Sequence, residues 1–454
     1  MPLSLIQKYN IPGPRYTSYP TVPYWQETLF HESDWKTSVI RSFNESNATE
    51  GISLYIHLPF CESLCTFCGC NKHITKRHEV EHPYIQALLK EWKGYCDLFP
   101  NTPIIKEIHL GGGTPTFFSS ENLETLIQGI FERATRAVNY EFSFEGHPNN
   151  TSKQHLQKLF DLGFRRVSFG VQDYSSKVQK AIHRIQPFHN VAKVTFWAKE
   201  IGYTSISHDL IFGLPFQKLD NVLDTIDKTN SLQPDRLAFY SYAHVPWIKG
   251  NGQRGFKDSD LPKDNEKRQL YEEGKNLLEK NGYHEIGMDH FALKKDSLFV
   301  SAIEGKLHRN FMGYTASKTQ LMIGLGVSSI SDSWYAFAQN EKTIEDYYAR
   351  LKKSALPVYR GHILTAEDMI IRKHILNLMC QFRTSWKNKS LQFTELPKVL
   401  ENLFELEQDG LIVREEEAII ITEKGKPFVR NICMAFDLRL IRKAPETKLF
   451  SMTI

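Results

Sequence analysis

At 454 residues the chain is long enough for two or three domains, and its 41% apolar content is that of a globular protein with a real core. The 56 Lys and Arg against 52 Asp and Glu leave a net charge of +4, too balanced to mark a nucleic-acid binder by charge alone but compatible with a small polyanion held by local cations. The longest apolar run, ISLYIHLPF, cannot span a bilayer, and the opening MPLSLIQKYNIPGP lacks a cationic start followed by a long apolar stretch, so a cytoplasmic protein with free thiols is expected.

Residues 1–50 predict an irregular arm, because PGPRYTSYPTVPYW carries too much proline for a helix. From residue 51 short β-rich segments alternate with longer helical ones, in a domain expected to run to 290. The predicted strands are 52–59, 104–111, 140–146, 165–172, 205–213 and 235–243; YIQALLKEWKGY and ENLETLIQGIFERATRAV are among the amphipathic helices between them. Such alternation implies an α/β fold with a parallel sheet, of a length that suits an open, incomplete (β/α)6 barrel. The polar motifs fall at the C-terminal ends of these strands, the rim where ligands bind in such folds. The rhythm is then lost. Residues 291–364 are expected to connect and pack on the barrel, and 365–454 to form a mostly helical domain. Within it LPKVLENLFELEQDGLIVREEEAIIITEKGKPFVRNICMAFD predicts helix, short hairpin, helix, a winged-helix-like module. Its candidate recognition helix is acidic, the wrong sign for phosphate contact, so a packing lid or substrate-side domain is expected and nucleic acid is not.

The most informative stretch follows the first strand. Cys61, Cys65, Cys68 and Cys70 are crowded into YIHLPFCESLCTFCGCNKH, while Cys96, Cys380 and Cys433 are scattered. Close thiolates repel unless a cation holds them. Three ligands on a short loop suit three corners of a [4Fe–4S] cluster and leave one iron open for a substrate or cofactor. Structural zinc is the weaker alternative, since no second C-x2-C knuckle is present. The second strand ends in GGGTPT (111–116), whose glycines let a ligand approach the backbone. It is not a dinucleotide fingerprint, because the G-x-G-x-x-G spacing is absent.

Together the two segments resemble the radical S-adenosylmethionine (SAM) superfamily. RYTSYPT (15–21), CESLCTFCGCNK, GGGTPT, GVQD (170–173), DLIFGLP (209–215), YAHVP (242–246), IGMDHFA (286–292), LHRNFMGYT (307–315) and RNICMAFD (430–437) are similar to the oxygen-independent coproporphyrinogen III oxidase family over nearly the whole chain. The resemblance implies a radical SAM barrel with a [4Fe–4S] cluster on Cys61, Cys65 and Cys68, and Cys70 as a non-ligand. It implies SAM contacts from Tyr55, Phe67, Gly112, Gly113, Thr114, Glu145, Gln172, Arg184 and Asp209, with Ala243 and Ile330 giving backbone or apolar contact. Tyr55 and His57, two apart on one strand, share a face and are candidate catalytic residues, although a strand histidine is as often a packed one. The role of His147 in EGHP is open.

The implied reaction is anaerobic. A 5′-deoxyadenosyl radical from SAM would remove hydrogen from two propionates of coproporphyrinogen III, which lose carbon dioxide to become the vinyl groups of protoporphyrinogen IX in haem biosynthesis. Arg15, Arg309 and Arg430 are candidate anchors for the four substrate carboxylates. The basic stretch NKHITKRH (71–78) is a candidate dock for an acidic electron donor such as flavodoxin or ferredoxin. A monomer is expected. Haem-chaperone paralogues are the nearest rival, but they generally lack the fourth cysteine and the RYTSYPT arm. Another radical SAM enzyme of porphyrins and a metal-sensing regulator are the further alternatives.

Overall fold

The computed structural model describes residues 4–247, 252–253, 255–447 and 449–453. One large sheet holds β1 Ile52–Leu58, β2 Ile104–Gly112, β3 Thr135–Gly146, β4 Phe164–Gln172, β5 Ser205–Phe212, β6 Arg236–Ser241, β7 His284–Gly287, β8 His290–Ala292, β9 Leu321–Leu325, β10 Ile330–Asp332, β11 Ala336–Asn340 and β12 Val358–Ile363. Their spatial order is β12-β11-β10-β9-β1-β2-β3-β4-β5-β6-β8-β7. From β9 through β6 neighbouring strands run parallel. Beyond them, antiparallel strands continue the sheet at both margins. β12 and β7 are its two edges, so the barrel is open, as the α/β reading expects.

Helices α1 Glu32–Ser46, α2 Glu81–Cys96, α3 Ser120–Phe131, α4 Lys153–Asp161, α5 Phe188–Ile201, α6 Leu219–Ser231 and α7 Asp264–Lys280 punctuate the strands. Their ends follow local chemistry. The Ser119 hydroxyl caps α3 by accepting from Asn122 N–H, and Gly202, in the left-handed region at φ 107°, ends α5. One helix is shorter than expected. The pattern ENLETLIQGIFERATRAV predicts continuation to 138, but α3 stops at Phe131, and Thr135 and Arg136 already pair with Ile104 and Ile105. Val138 is 97% exposed, so its apolar side chain contributes nothing to a helical stripe there, and strand pairing overrides propensity.

Strand alternation sorts the sheet into two faces. Ile52, Leu54, Ile56, Leu58, Ile108, Leu110, Phe142, Phe144, Val167 and Phe169 join the main apolar core with residues of α2 and α3. The intervening residues are polar and hydrogen-bond across strands inside the concave face. Ser53 and Thr315 donate to the Glu107 carboxylate at 3.1 and 3.0 Å, and His109 bonds Ser143 at 2.8 Å.

The C-terminal part contains α8 Ala366–Gln381, α9 Leu396–Asn402 and α10 Val429–Phe436, with β13 Arg383–Ser385, β14 Ile412–Glu415 and β15 Ala418–Ile421 in a three-stranded sheet ordered β13-β15-β14. The expected helix–hairpin–helix is present, with β13 added to the hairpin. The arm docks here. Tyr9, Tyr16 and Tyr19 share an apolar cluster with α8 and α10, and Pro12 bridges Met452. Among the described residues no helix is long and apolar enough to cross a membrane.

Candidate active site

The thiols of Cys61, Cys65, Cys68 and Cys70 all line one cavity at the C-terminal ends of β1 to β5, about 910 Å3 including the solvent at its mouth. Phe67, Gly112, Gly113, Thr114, Glu145, Gln172, Arg184 and Asp209 line the same cavity. Sequence positions 61 to 209 therefore converge on one wall-to-wall site, because each strand delivers its last residues to the same rim.

The cysteine loop is fastened at several points. Thr66 N–H donates to Ile182 O at 3.0 Å, Thr75 N–H to Cys61 O at 2.9 Å, and the Lys72 ammonium to Cys68 O at 3.1 Å and Cys70 O at 3.3 Å. Gln253, 3% exposed, donates from one amide to Phe67 O at 3.3 Å and Ala243 O at 3.0 Å, which joins the loop to the segment after β6. Cys61 Sγ lies 3.3 Å from Thr114 Oγ1, and Arg184 Nη1 lies 3.7 Å from Cys65 Sγ. Burial pushes the Cys61 thiol up to about 11, whereas a hydrogen bond from Cys70 holds Cys68 down at about 6. All seven cysteines are free.

Among the described residues no three His, Cys, Asp or Glu side chains are gathered tightly enough for a single metal ion. Soft thiols spread around one cavity suit a polynuclear iron–sulfur cluster better than a single ion. The remaining wall fits a zwitterionic ligand. Arg184 Nη2 donates to Gly170 O at 2.7 Å, while its buried Nε–H has no partner and is free to donate to a ligand anion. Opposite it, Asp209 accepts from Ser168 Oγ at 2.9 Å, and burial and then Glu145 push its carboxyl up to about 7. A cationic or hydroxyl-bearing group would relieve that strain. Gln172 takes φ 69° at an irregularity between β4 and β5, which turns the chain at the cavity floor.

Tyr55 and His57 stand behind this wall rather than among the residues lining it. The Tyr55 hydroxyl lies 3.1 Å from His57 Nδ1, and His57 Nε2 lies 2.9 Å from Asn71 O. Only a donor can face that carbonyl, so the proton sits on Nε2, and Nδ1 accepts from Tyr55. Burial lowers the His57 pKa, which keeps the ring neutral. Ile330 lies on β10 and packs with Trp25, Phe337 and Leu364, outside the cavity lining. Ala243 is outside the cavity lining and is joined to the cysteine loop through Gln253.

The three arginines proposed as anchors differ. Arg430 is consumed by main-chain carbonyls: Nε donates to Pro14 O at 2.9 Å, Nη1 to Met452 O at 2.8 Å, and Nη2 to Gly13 O. Arg309 is buried over the Tyr314 ring at 4.5 Å, and its Nη2 donates to Arg15 O at 3.3 Å. Arg15 Nη1 lies 3.6 Å from Asp289 Oδ2 and is the most open of the three.

One residue was missed by the sequence reading. His109 stacks on Tyr55 with ring centroids 6.0 Å apart and reaches Glu145 Oε1 at 3.4 Å. Its place two residues before Gly111 puts it on the inward face, a period-2 signal that would have found it. His147, left open by the sequence, lines the cavity, with Nδ1 accepting from Asn149 N–H at 3.2 Å.

Residues 55–229 match the Radical SAM superfamily. The chain is 39% identical to an oxygen-independent coproporphyrinogen III oxidase of Escherichia coli (strain K12), over 97% of this chain and 96% of that protein. It is 37% identical to the protein of the same name from Synechocystis, over 99% and 97%. The solved structure described as the coproporphyrinogen III oxidase from Escherichia coli, a radical SAM enzyme, superposes with a TM-score of 0.88 at 37% identity, covering 93% of this chain and 97% of that one.

Proposed function

The chain belongs to the oxygen-independent coproporphyrinogen III oxidases of the radical SAM superfamily, and from that we propose that it oxidatively decarboxylates two propionates of coproporphyrinogen III to vinyl groups, anaerobically, giving protoporphyrinogen IX for haem biosynthesis. The observation that carries this reading is the convergence of Cys61, Cys65 and Cys68 with Gly112–Thr114 and Arg184 on one cavity.

Cys61, Cys65 and Cys68 would hold a [4Fe–4S] cluster. That cluster and SAM, when bound, supply the radical that removes hydrogen from the propionate β-carbon. The protein's own residues do the rest. Arg184 would receive the methionyl carboxylate of SAM, while Glu145 and Asp209 would take its ammonium and ribose hydroxyls. Gly112, Gly113 and Thr114 would offer backbone to the amino acid end, and Phe67, Gln172 and Ala243 would border the nucleoside. Ile330 would act from behind β9. Tyr55 and His57 are positioning residues in this reading: His57 ties Asn71, just beyond the cysteines, to the glycine segment.

The exposed residues His73, Ile74, Lys76 and Arg77 beside the loop suit an acidic one-electron donor of the flavodoxin or ferredoxin kind. The enzyme would act as a cytoplasmic monomer. The test is anaerobic turnover with reconstituted cluster, reductant, SAM, coproporphyrinogen III and an electron acceptor. Loss of two carboxyl groups with about two 5′-deoxyadenosines per product is expected from one abstraction per propionate. SAM cleavage without decarboxylation would point to another substrate.

A further inference from the structure

A second cleft opens where the arm, the C-terminal part and the barrel rim meet, about 830 Å3 including the solvent at its mouth, within the range of small-molecule sites. Its barrel side is formed by Phe212 and Ser241, the last residues of β5 and β6, so it shares the rim with the cysteine cavity. Tyr240 stands between the two. Inside the barrel it feels Asp209 and Glu145 from one side and Asp289 and Arg15 from the other.

The lining is amphiphilic and unbalanced in charge. Five cations, Arg15, Lys267, Arg268, Lys426 and Arg430, face two carboxylates, Glu285 and Asp289, an excess of three positive charges. Glu285 is taken by the Tyr271 hydroxyl at 2.7 Å and by the Lys275 ammonium, and Asp289 faces Arg15 at 3.6 Å; Arg268 pairs with Glu272 and Lys426 with Glu423 at 2.7 Å, two carboxylates outside the lining. Arg430 has only neutral carbonyls as acceptors, and burial together with the nearby Arg15 disfavours its charge. A buried cation without a counter-ion is costly, and a bound anion would relieve it. The Lys267 side chain lies across Gly213, where a Cβ would fall 2.9 Å from its Cε, so the turn after β5 makes room for this lysine to reach Tyr242 O at 3.1 Å at the rim. Between the cations, Phe212, Tyr271 and Met288 give apolar contact.

We propose that this cleft holds the carboxylates of the propionates that are not reacting, with Arg15, Lys267, Arg268 and Lys426 as their partners. The inference rests on the proposed tetracarboxylate substrate. It replaces the anchor set expected from sequence: Arg430 serves as the scaffold that fixes Gly13 and Pro14, and so sets Arg15 beside Asp289. Cations at the end of flexible stems, arranged round an apolar wall, suit an amphiphile whose charges lie at its periphery.

The test is a fluorescence titration of the cluster-loaded protein with coproporphyrin III, the oxidised and unreactive tetra-acid, and with its uncharged tetra-amide. Arg15→Gln and Lys267→Met are each expected to weaken tetra-acid binding at least tenfold, with the weak amide binding unmoved. Because Lys267 sits on α7 and Arg15 on the arm, misfolding of one variant, seen in its melting curve, leaves the other to decide. Unchanged tetra-acid affinity in a folded variant, or amide binding as tight as the acid, would overturn the proposal. If the wild-type protein binds the tetra-acid through these residues yet does not decarboxylate coproporphyrinogen III, the proposed reaction fails while the carboxylate cleft stands.

Discussion

Gly112 lies against the imidazole of His57, so close that a Cβ at position 112 would fall 2.7 Å from Nδ1 and Cε1. Its φ of 113° is also one that other residues rarely adopt. Gly112→Ala therefore meets both overpacking and backbone strain, each costing on the order of 1–3 kcal/mol. The ring cannot retreat freely, because Nε2 is tied to Asn71 O. We expect SAM affinity to fall at least tenfold and the melting temperature to drop, as read by equilibrium dialysis and calorimetry. Wild-type values for both would show that the glycine segment has slack.

The cysteines should separate by cluster content. Cys61→Ala, Cys65→Ala and Cys68→Ala are each expected to lose most bound iron and sulfide after anaerobic reconstitution. Cys70→Ala is expected to keep them, since Cys70 is the exposed member of the group and acts on Cys68 through a hydrogen bond. A Cys70 variant that loads no iron would make it a ligand and unseat one of the other three.

Asp209 gives the site a pH signature. Its carboxyl is pushed up to about 7 without ligand, so it is largely neutral at pH 6 and ionised at pH 8. A ligand whose cationic or hydroxyl groups prefer the carboxylate must drive off that proton at low pH. SAM affinity should thus rise with pH through about 7, approaching tenfold per unit on the acid side. Asp209→Asn should bind more weakly and flatten the slope. A wild-type profile that stays level from pH 6 to 8 would remove Asp209 from ligand binding.

Away from the site, Glu91 on α2 is fully buried and accepts from Gly326 N–H at 2.8 Å, Asn340 Nδ2 at 2.7 Å and the Tyr347 hydroxyl at 2.6 Å. It binds the loop after β9 to the outer helices. Glu91→Ala would strand the Gly326 N–H and the Tyr347 hydroxyl, while Asn340 Nδ2 keeps Gly326 O and Ser329 Oγ, and a loss of roughly 2 kcal/mol or more is expected from urea unfolding at pH 8. A change under 1 kcal/mol would mean that water replaces the carboxylate.

The parallel strands and the cysteine loop were legible because their signals are local. Period-2 alternation in ISLYIHL and the spacing of four cysteines need no knowledge of distant chain. β9 was not legible: LMIGL is a short apolar run whose parallel pairing with β1 spans more than 250 residues of intervening sequence. Likewise Arg430 reads as a free cation in RNICMAFD, and only the fold reveals the carbonyls of Gly13, Pro14 and Met452 around it. The cationic cleft draws on residues from Asn10 to Thr453, so no window of sequence contains it. His57 reads as a candidate for chemistry. Its actual partners, Tyr55 and Asn71, are near in sequence, but the glycine above it arrives from β2.

The arm and the tail are joined before anything can enter the second cleft: Gly13 N–H donates to Ser451 O at 3.0 Å, Thr453 N–H to Ile11 O at 2.9 Å, and Arg430 clasps both segments. Protein synthesis is directional, so this closure has an order. Every strand of the large sheet has been made once residue 363 leaves the ribosome, and the barrel has its partners from then on. The arm is translated ahead of the barrel, but its pairing with the tail waits for residues 451–453. A nascent chain thus passes through an interval in which its thiol cavity can form while its cationic cleft still lacks a roof.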